Sequence, residues 1–202
     1  MRNPFLIGEK IYLRALEQGD ATIFLPWVND FDVIRNLVMH RPMSLEGEEA
    51  FIARVNEDKN VIVLAIVLKK DDRVIGNTAL HAIHPRNHHA GFGIMIGDKR
   101  EWNKGHGTEA TRLIVRYGFE TLNLNRIWLQ VYEDNARAVR SYEKVGFRVE
   151  GKLREHLYRD GRFWDVLNMG ILRKEWRSAE EAPPHGSAVG PARPRAAKRG
   201  RG

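Results

Sequence analysis

This sequence predicts an α+β domain built on a mixed sheet with helices on both faces. Three observations carry that reading. Short β-branched or alternating runs recur, and Asp71-Asp72 and Asp160-Gly161 supply strong turn signals between neighbouring runs. One long segment, Gly107 to Leu122, switches to helical period. The order is strand, helices, three strands, helix, strand, helix, two strands, which suits one sheet covered by helices.

Residues 10–15 alternate and read as a first strand. Residues 18–58 read as helix in pieces, broken near Pro26 and Pro42. Ser44 is a natural N-cap there, with Glu46, Glu48 and Glu49 complementing the helix dipole. Val61 to Leu68 is β-branched and apolar, and Val74 to Ile83 pairs back after Asp71-Asp72. His89 to Ile96 is a further strand, closed by the polar run Asp98 to Lys104. In the helix that follows, Ala110, Leu113, Ile114 and Tyr117 form one stripe, widened by Phe119 and Leu122. Arg112, Arg116 and Glu120 fall every fourth residue on the opposite face. Arg126 to Tyr132 is a strand. Asn135 caps a short helix that ends at Gly146, a natural left-handed C′ position. Phe147 to Tyr158 and Phe163 to Trp176 form the last hairpin.

The chain has 202 residues, enough for one domain and a tail. We place the domain at residues 1–178 and a disordered basic Pro/Gly/Ala/Arg tail at 179–202. With no cysteine, a disulfide scaffold, a thiolate metal site and a covalent cysteine intermediate are excluded. No apolar run reaches the length of a membrane span or a signal peptide, so a cytoplasmic protein with no membrane partner is expected. The net charge of +7 suggests nucleic acid until it is located. Arg193, Arg195, Lys198, Arg199 and Arg201 carry five of those charges. Nucleic acid is therefore expected only through the tail, which reads either as an RNA-seeking arm or as a solvated terminus.

The informative stretch is Asp98 to Ala110, where a strand ends, a basic Gly-rich turn follows and a helix begins. Unpaired N–H groups at a helix start carry partial positive charge, and Gly105 and Gly107 let them approach a phosphate. Lys104 adds a charge and Thr108 a hydroxyl. This is a phosphate cradle, suited to a pyrophosphate. Gly105-His-Gly-Thr-Glu-Ala110 also matches the dinucleotide fingerprint G-x-G-x-x-A. Its context differs, because about seven residues separate the strand from Gly105 and the flanking strands look like antiparallel hairpins. Asn135 and Tyr142 lie seven apart, two turns of one helix, and so share a face. On spacing alone Tyr142 reads equally as a core aromatic.

Trp102-Asn-Lys-Gly-His-Gly-Thr-Glu-Ala110, then Asn123-Leu-Asn-Arg-Ile, then Asn135-x-x-Ala138-x-x-x-Tyr142-Glu-Lys-x-Gly146-Phe147-x-x-Glu150-Gly151 together resemble the GNAT family of acetyl-CoA-dependent N-acetyltransferases. The branch is similar to ribosomal-protein N-terminal acetyltransferases and spermidine acetyltransferases. The likeness covers roughly residues 8–176. It implies a mostly antiparallel, splayed central sheet and acetyl-CoA as co-substrate, with no metal.

The resemblance also implies roles. The family's Q/R-x-x-G-x-G/A loop, here Trp102-Asn103-Lys104-Gly105-His106-Gly107 with Thr108, holds the coenzyme A pyrophosphate; tryptophan at the first position departs from the pattern. The pantetheine arm pairs with a strand edge at Met95, Ile96 and Gly97. Asn135, with Ala138 beside it, meets the coenzyme arm, and Tyr142 protonates the leaving thiolate. Where many relatives carry a glutamate before the loop, this chain has Ala90-Gly91-Phe92-Gly93, so the base is open, with His89 as a substitute. His81, His84, His88 and His89 do not make a metal set, since His88 and His89 point to opposite faces and no acid lies among them. Trp27, Asp30 and Asp32 are candidates to receive the amine acceptor; Tyr158, Phe163 and Trp164 read as packing residues. A homodimer is a further expectation. The competing class is a non-catalytic coenzyme A- or nucleotide-binding module with an RNA-seeking tail.

Overall fold

The computed structural model describes residues 1–176. The tail reading lies outside the described residues. The elements in chain order are β1 (Leu6–Ile7), β2 (Ile11–Ala15), α1 (Ala21–Val28), α2 (Phe31–Ile34), α3 (Leu45–Glu57), β3 (Ile62–Leu68), β4 (Val74–His84), β5 (His89–Ile96), α4 (His106–Glu120), β6 (Arg126–Tyr132), α5 (Ala136–Glu143), β7 (Arg148–Arg159) and β8 (Arg162–Leu172). The strands form one sheet in the order β1-β2-β3-β4-β5-β6-β8-β7. Every neighbouring pair is antiparallel except β5 and β6, which run parallel across the α4 crossover.

The sheet is buried on both faces. Along β3, Leu64, Ile66 and Leu68 enter one core with Ile114 and Phe119 of α4. Val63, Ala65 and Val67 enter the other with Phe24 of α1 and Ile52 of α3. A strand covered on both sides needs an unbroken apolar run, and Val61 to Leu68 supplies one. Each of these side chains other than Ala65 contributes about 1.5–3 kcal/mol by leaving water.

Most boundaries fall within two residues of expectation. Ser44 Oγ accepts the Gly47 amide at 3.1 Å, and Asn135 Oδ1 accepts that of Ala138 at 3.2 Å. Four points differ. The two-residue β1 was not foreseen, being too short for any period. Pro26 lies inside α1 rather than ending it; Pro26 and Thr22, the residue whose carbonyl it cannot bond, are both exposed. β8 stops at Leu172, and residues 173–176 are helical. β5 and β6 are parallel neighbours rather than members of separate hairpins.

Candidate active site

β5 and β6 pair only from His89 to Gly91 against Arg126 to Trp128. Beyond that the strands part. Phe92 stands at the fork, edge-on to Tyr142 at 5.8 Å and tilted against Phe147 at 6.0 Å. Bonded and non-bonded positions alternate along a strand. The Gly97 N–H is on the Ile75 carbonyl at 2.9 Å, so the Met95 and Gly97 peptide groups face β4. The edge open to the gap is therefore Ile94 and Ile96, which corrects the expected trio of Met95, Ile96 and Gly97. The Ile96 carbonyl is taken by the Trp102 indole at 2.7 Å.

The turn before α4 is held by one carboxylate. Glu101, 4% exposed, accepts from Arg73 at 2.7 Å and Lys104 at 3.1 Å, and lies 3.2 Å from His106 Nε2. The Arg73 guanidinium is the largest reason its pKa falls to about 2, with Lys104 adding to it. Asp98 also binds Arg73 and caps the Arg100 amide. Gly105 then takes φ +88 as the N-cap of α4, a left-handed conformation that glycine adopts without strain. No side chain caps this end, and the first intrahelical bond is from Glu109 to the Gly105 carbonyl. The amides of His106, Gly107 and Thr108 are thus free to receive an anion. A Cβ at Gly107 would project toward Ile96 and Ile94, 3.8 and 3.9 Å away, into the space between this turn and the open edge.

α5 faces the turn. Thr108 Oγ1 and Ser141 Oγ share a hydrogen bond of 2.7 Å that ties the two helices. Arg137 lies over the Trp102 ring, 4.5 Å from its centroid. Burial pushes the Tyr142 phenol up to about 12, with Arg137 drawing it slightly back. Its hydroxyl makes no hydrogen bond among the described residues.

These groups enclose a cavity of about 380 Å³ lined by Ile94, Met95, Ile96, Trp102, Asn103, Gly105, His106, Gly107, Thr108, Asn135, Ala138 and Tyr142. Three of the candidates for the donor site and the chemistry fall outside it, and so do Trp27 and Asp30 of the acceptor candidates. Gly97 is covered by Trp27, whose ring a Cβ there would meet at 2.1 Å. Lys104 lines the neighbouring cavity and is bound to Glu101. His89 stands at the far end of β5, roughly 20 Å along the strand from Met95, and stacks on His84 at 5.2 Å. The assignment of His89 as base is therefore withdrawn. At the Gly91 position, the His81 imidazole of β4 lies where a side chain would go, 2.2 Å from an ideal Cβ.

The lining also holds residues the sequence did not reveal: Glu101, Thr111, Arg137, Arg140, Ser141 and Lys144. For Ile94 the signal existed, since it alternates with Ile96. For Arg137 there was none, because its partner Trp102 is thirty-five positions away. On the opposite wall stand Asp32, Val33, Asn36 and Leu37. Lys99 bridges Asp30 at 2.7 Å and Asp32 at 3.0 Å, and its ammonium lowers the Asp30 pKa. Tyr158 and Phe163 pair with each other at 5.1 Å, and Trp164 lies against Arg159 and Arg162; none lines the cavity.

Residues 10–148 match the GNAT acetyltransferase domain. The chain belongs to the GNAT acetyltransferase family. Spermidine N(1)-acetyltransferase of Escherichia coli is 29% identical over 180 residues, 87% of this chain and 93% of that one. An uncharacterised N-acetyltransferase of Bacillus subtilis is 31% identical over 174 residues, 84% of this chain and 97% of the other. Among solved structures, spermidine N-acetyltransferase from Vibrio cholerae, in complex with CoA and spermine, superposes with a TM-score of 0.79 at 28% identity, covering 84% and 99% of the two chains. This GNAT enzyme transfers an acetyl group from acetyl-CoA to an amine. Its residues fit that donor, with free helix amides for a diphosphate, an open strand edge for an amide-bearing arm and a half-buried phenol between them.

Proposed function

We propose that the acceptor is a small aliphatic amine of the polyamine kind, and that Tyr142 is the acid of the transfer. The observation that carries this reading is that one cavity joins the Tyr142 phenol, the free amides of residues 106–108 and the carboxylate of Asp32. The amides of His106, Gly107 and Thr108 hold the donor diphosphate, helped by the helix dipole. Ile94 and the Ile96 N–H pair with the pantetheine arm as a short extra strand. Asn135, whose Oδ1 is spent on the Ala138 amide, offers its Nδ2 to the same arm.

Asp32, Asn36 and Leu37 admit the amine from the α2 side. A neutral amine is needed, because an ammonium has no lone pair; its proton leaves to water through the open cavity. The nitrogen then bonds to the acetyl carbon, the carbon–sulfur bond breaks, and Tyr142 Oη gives its proton to the departing thiolate. The amine proton, relayed by solvent, restores the phenol. The chain has no cysteine to carry the acetyl group, so both substrates react in one ternary complex. Spermidine enzymes among the relatives support the acceptor class.

Free-thiol release from acetyl-CoA tests the reading, run with spermidine, spermine, an N-terminal peptide and an aminosugar. Polyamines should release thiol fastest and Tyr142→Phe should abolish most of it. Turnover confined to the peptide or the sugar overturns the acceptor class and leaves the acid role standing. The homodimer belongs to the same proposal, supported by β7 as the outer strand of the sheet and by the exposed Tyr158 and Phe163 rings; sedimentation of the full chain tests it. So does a cytoplasmic site of action, supported by the absence, among the described residues, of a helix long and apolar enough to cross a membrane.

A further inference from the structure

Asn36 stands in the cavity wall between two residues whose backbone carbonyls are both held by side chains from β6 and β7. The Arg35 carbonyl accepts from Arg159, the last residue of β7, at 3.0 Å. The Leu37 carbonyl accepts from the Tyr132 hydroxyl, at the end of β6, also at 3.0 Å. The Arg159 guanidinium lies 5.6 Å from the Tyr132 ring centroid, so the two holders are themselves in contact. The same guanidinium pairs with Asp134 and packs against Trp164 at 5.1 Å. Arg35 closes the ring by binding Asp160, at the hairpin tip, at 2.7 Å.

α2 cannot hold this wall by itself. It is a single turn of four residues, too short to be stable alone. From Phe31 to Val38 only Val33 and Ile34 are buried, and Phe31 and Val38 are 84% and 88% exposed. Nor does the hairpin need the arginine, because Asp160-Gly161 closes it, both residues taking positive φ. Yet the Arg159 side chain is only 12% exposed, and taking a guanidinium out of water is costly unless its partners offset it. The task that remains for it is to hold the Arg35 carbonyl.

We infer that Arg159 is a positioning residue for the amine acceptor. With Tyr132 it clamps the backbone on either side of Asn36, and so fixes Asn36 and Leu37 in the acceptor wall. The inference rests on the acceptor wall proposed above and deepens it by naming what sets the place of that wall. Asp134 adjoins Asn135 of the donor side, so KM for the donor has to be read as well.

Steady-state kinetics of the full chain test it, with acetyl-CoA and whichever amine of the panel turns over fastest. Arg159→Met should raise KM for the amine on the order of tenfold, the scale of one charge-assisted hydrogen bond. By contrast, kcat and KM for acetyl-CoA should each change by less than about twofold, the pattern of lost ground-state binding. Tyr132→Phe keeps the ring and loses one neutral hydrogen bond, so it should raise KM for the amine about fivefold. It carries the test if Arg159→Met does not fold. Arg162→Gln removes another cation from the same hairpin tip, one that lies over Trp164 and binds neither carbonyl, and should change neither KM. A rise in KM for acetyl-CoA as large as that for the amine overturns the inference, and so does an equal effect from Arg162→Gln. Asp32→Asn separates this inference from the reading beneath it. If Asp32→Asn raises KM for the amine and the clamp variants do not, the wall stands and the clamp is only structural. If none of them does, the wall reading fails and takes this one with it.

Discussion

Trp102 donates its indole N–H to the Ile96 carbonyl at 2.7 Å, so the turn before α4 is fastened directly to the open edge of β5. The same ring supports Arg137. Tryptophan at the first loop position thus has a structural task that the family's usual glutamine or arginine would not perform in this way. Trp102→Phe keeps a ring for Arg137 and removes the donor. One hydrogen bond contributes about 1 kcal/mol, so KM for acetyl-CoA should rise about fivefold. An unchanged KM in steady-state kinetics would show that turn and edge are held by other means.

Tyr142 keeps its proton because packing beside Phe92 and Phe147 keeps water from its phenolate, which pushes its pKa up to about 12. Tyr142→Phe should lower kcat by about a hundredfold or more with little change in KM for acetyl-CoA. The unaltered enzyme should show no alkaline loss of kcat traceable to the phenol between pH 7 and 10. An alkaline limb near pH 10 that disappears in Tyr142→Phe would contradict the burial argument.

The sequence revealed what depends on local period and left out what depends on distance. Ser44, Asn135 and Asp160-Gly161 mark element ends by interactions within four residues, and each stands where expected. The glycine-marked start of α4 was legible because the turn and the helix cap lie within a few residues of each other. The parting of β5 from β6 was implied only by resemblance, since nothing in residues 89–96 says where pairing stops. The choice of Ile94 and Ile96 over Met95 and Gly97 needs the register against β4, which a single chain segment does not contain. His89 failed for the same reason. Alternation gave it a face but no position relative to α5.

Glu101 gathers Arg73, Lys104 and His106, and its carboxyl falls from 4.5 to about 2. A carboxylate whose folded pKa is depressed stabilises the fold above its unfolded pKa and loses that contribution as pH falls toward the folded value. Here the window runs from about pH 4.5 down to about 2. Glu101→Gln should melt lower than the unaltered protein at pH 7, and the gap should close across that window. It should also raise KM for acetyl-CoA more than it lowers kcat, because the turn before α4 loses its anchor. Thermal melts at pH 7, 4 and 2.5 decide it; a gap that stays constant with pH removes the charge from the explanation.

Asp30 and Asp32 are held together by Lys99, and of the two carboxylates only Asp32 lines the cavity. A cationic acceptor must compete with Lys99 for that charge. These groups face water, where ion pairs are weak, so effects should reach at most about fivefold. Asp32→Asn should raise KM for spermidine and leave KM for acetyl-CoA unchanged. Lys99→Met frees the two acids and should lower KM for spermidine, with both effects shrinking as salt screens the charges. Should Asp32→Asn instead shift KM for the donor, the α2 wall belongs to the coenzyme side of the cavity and the amine must enter elsewhere.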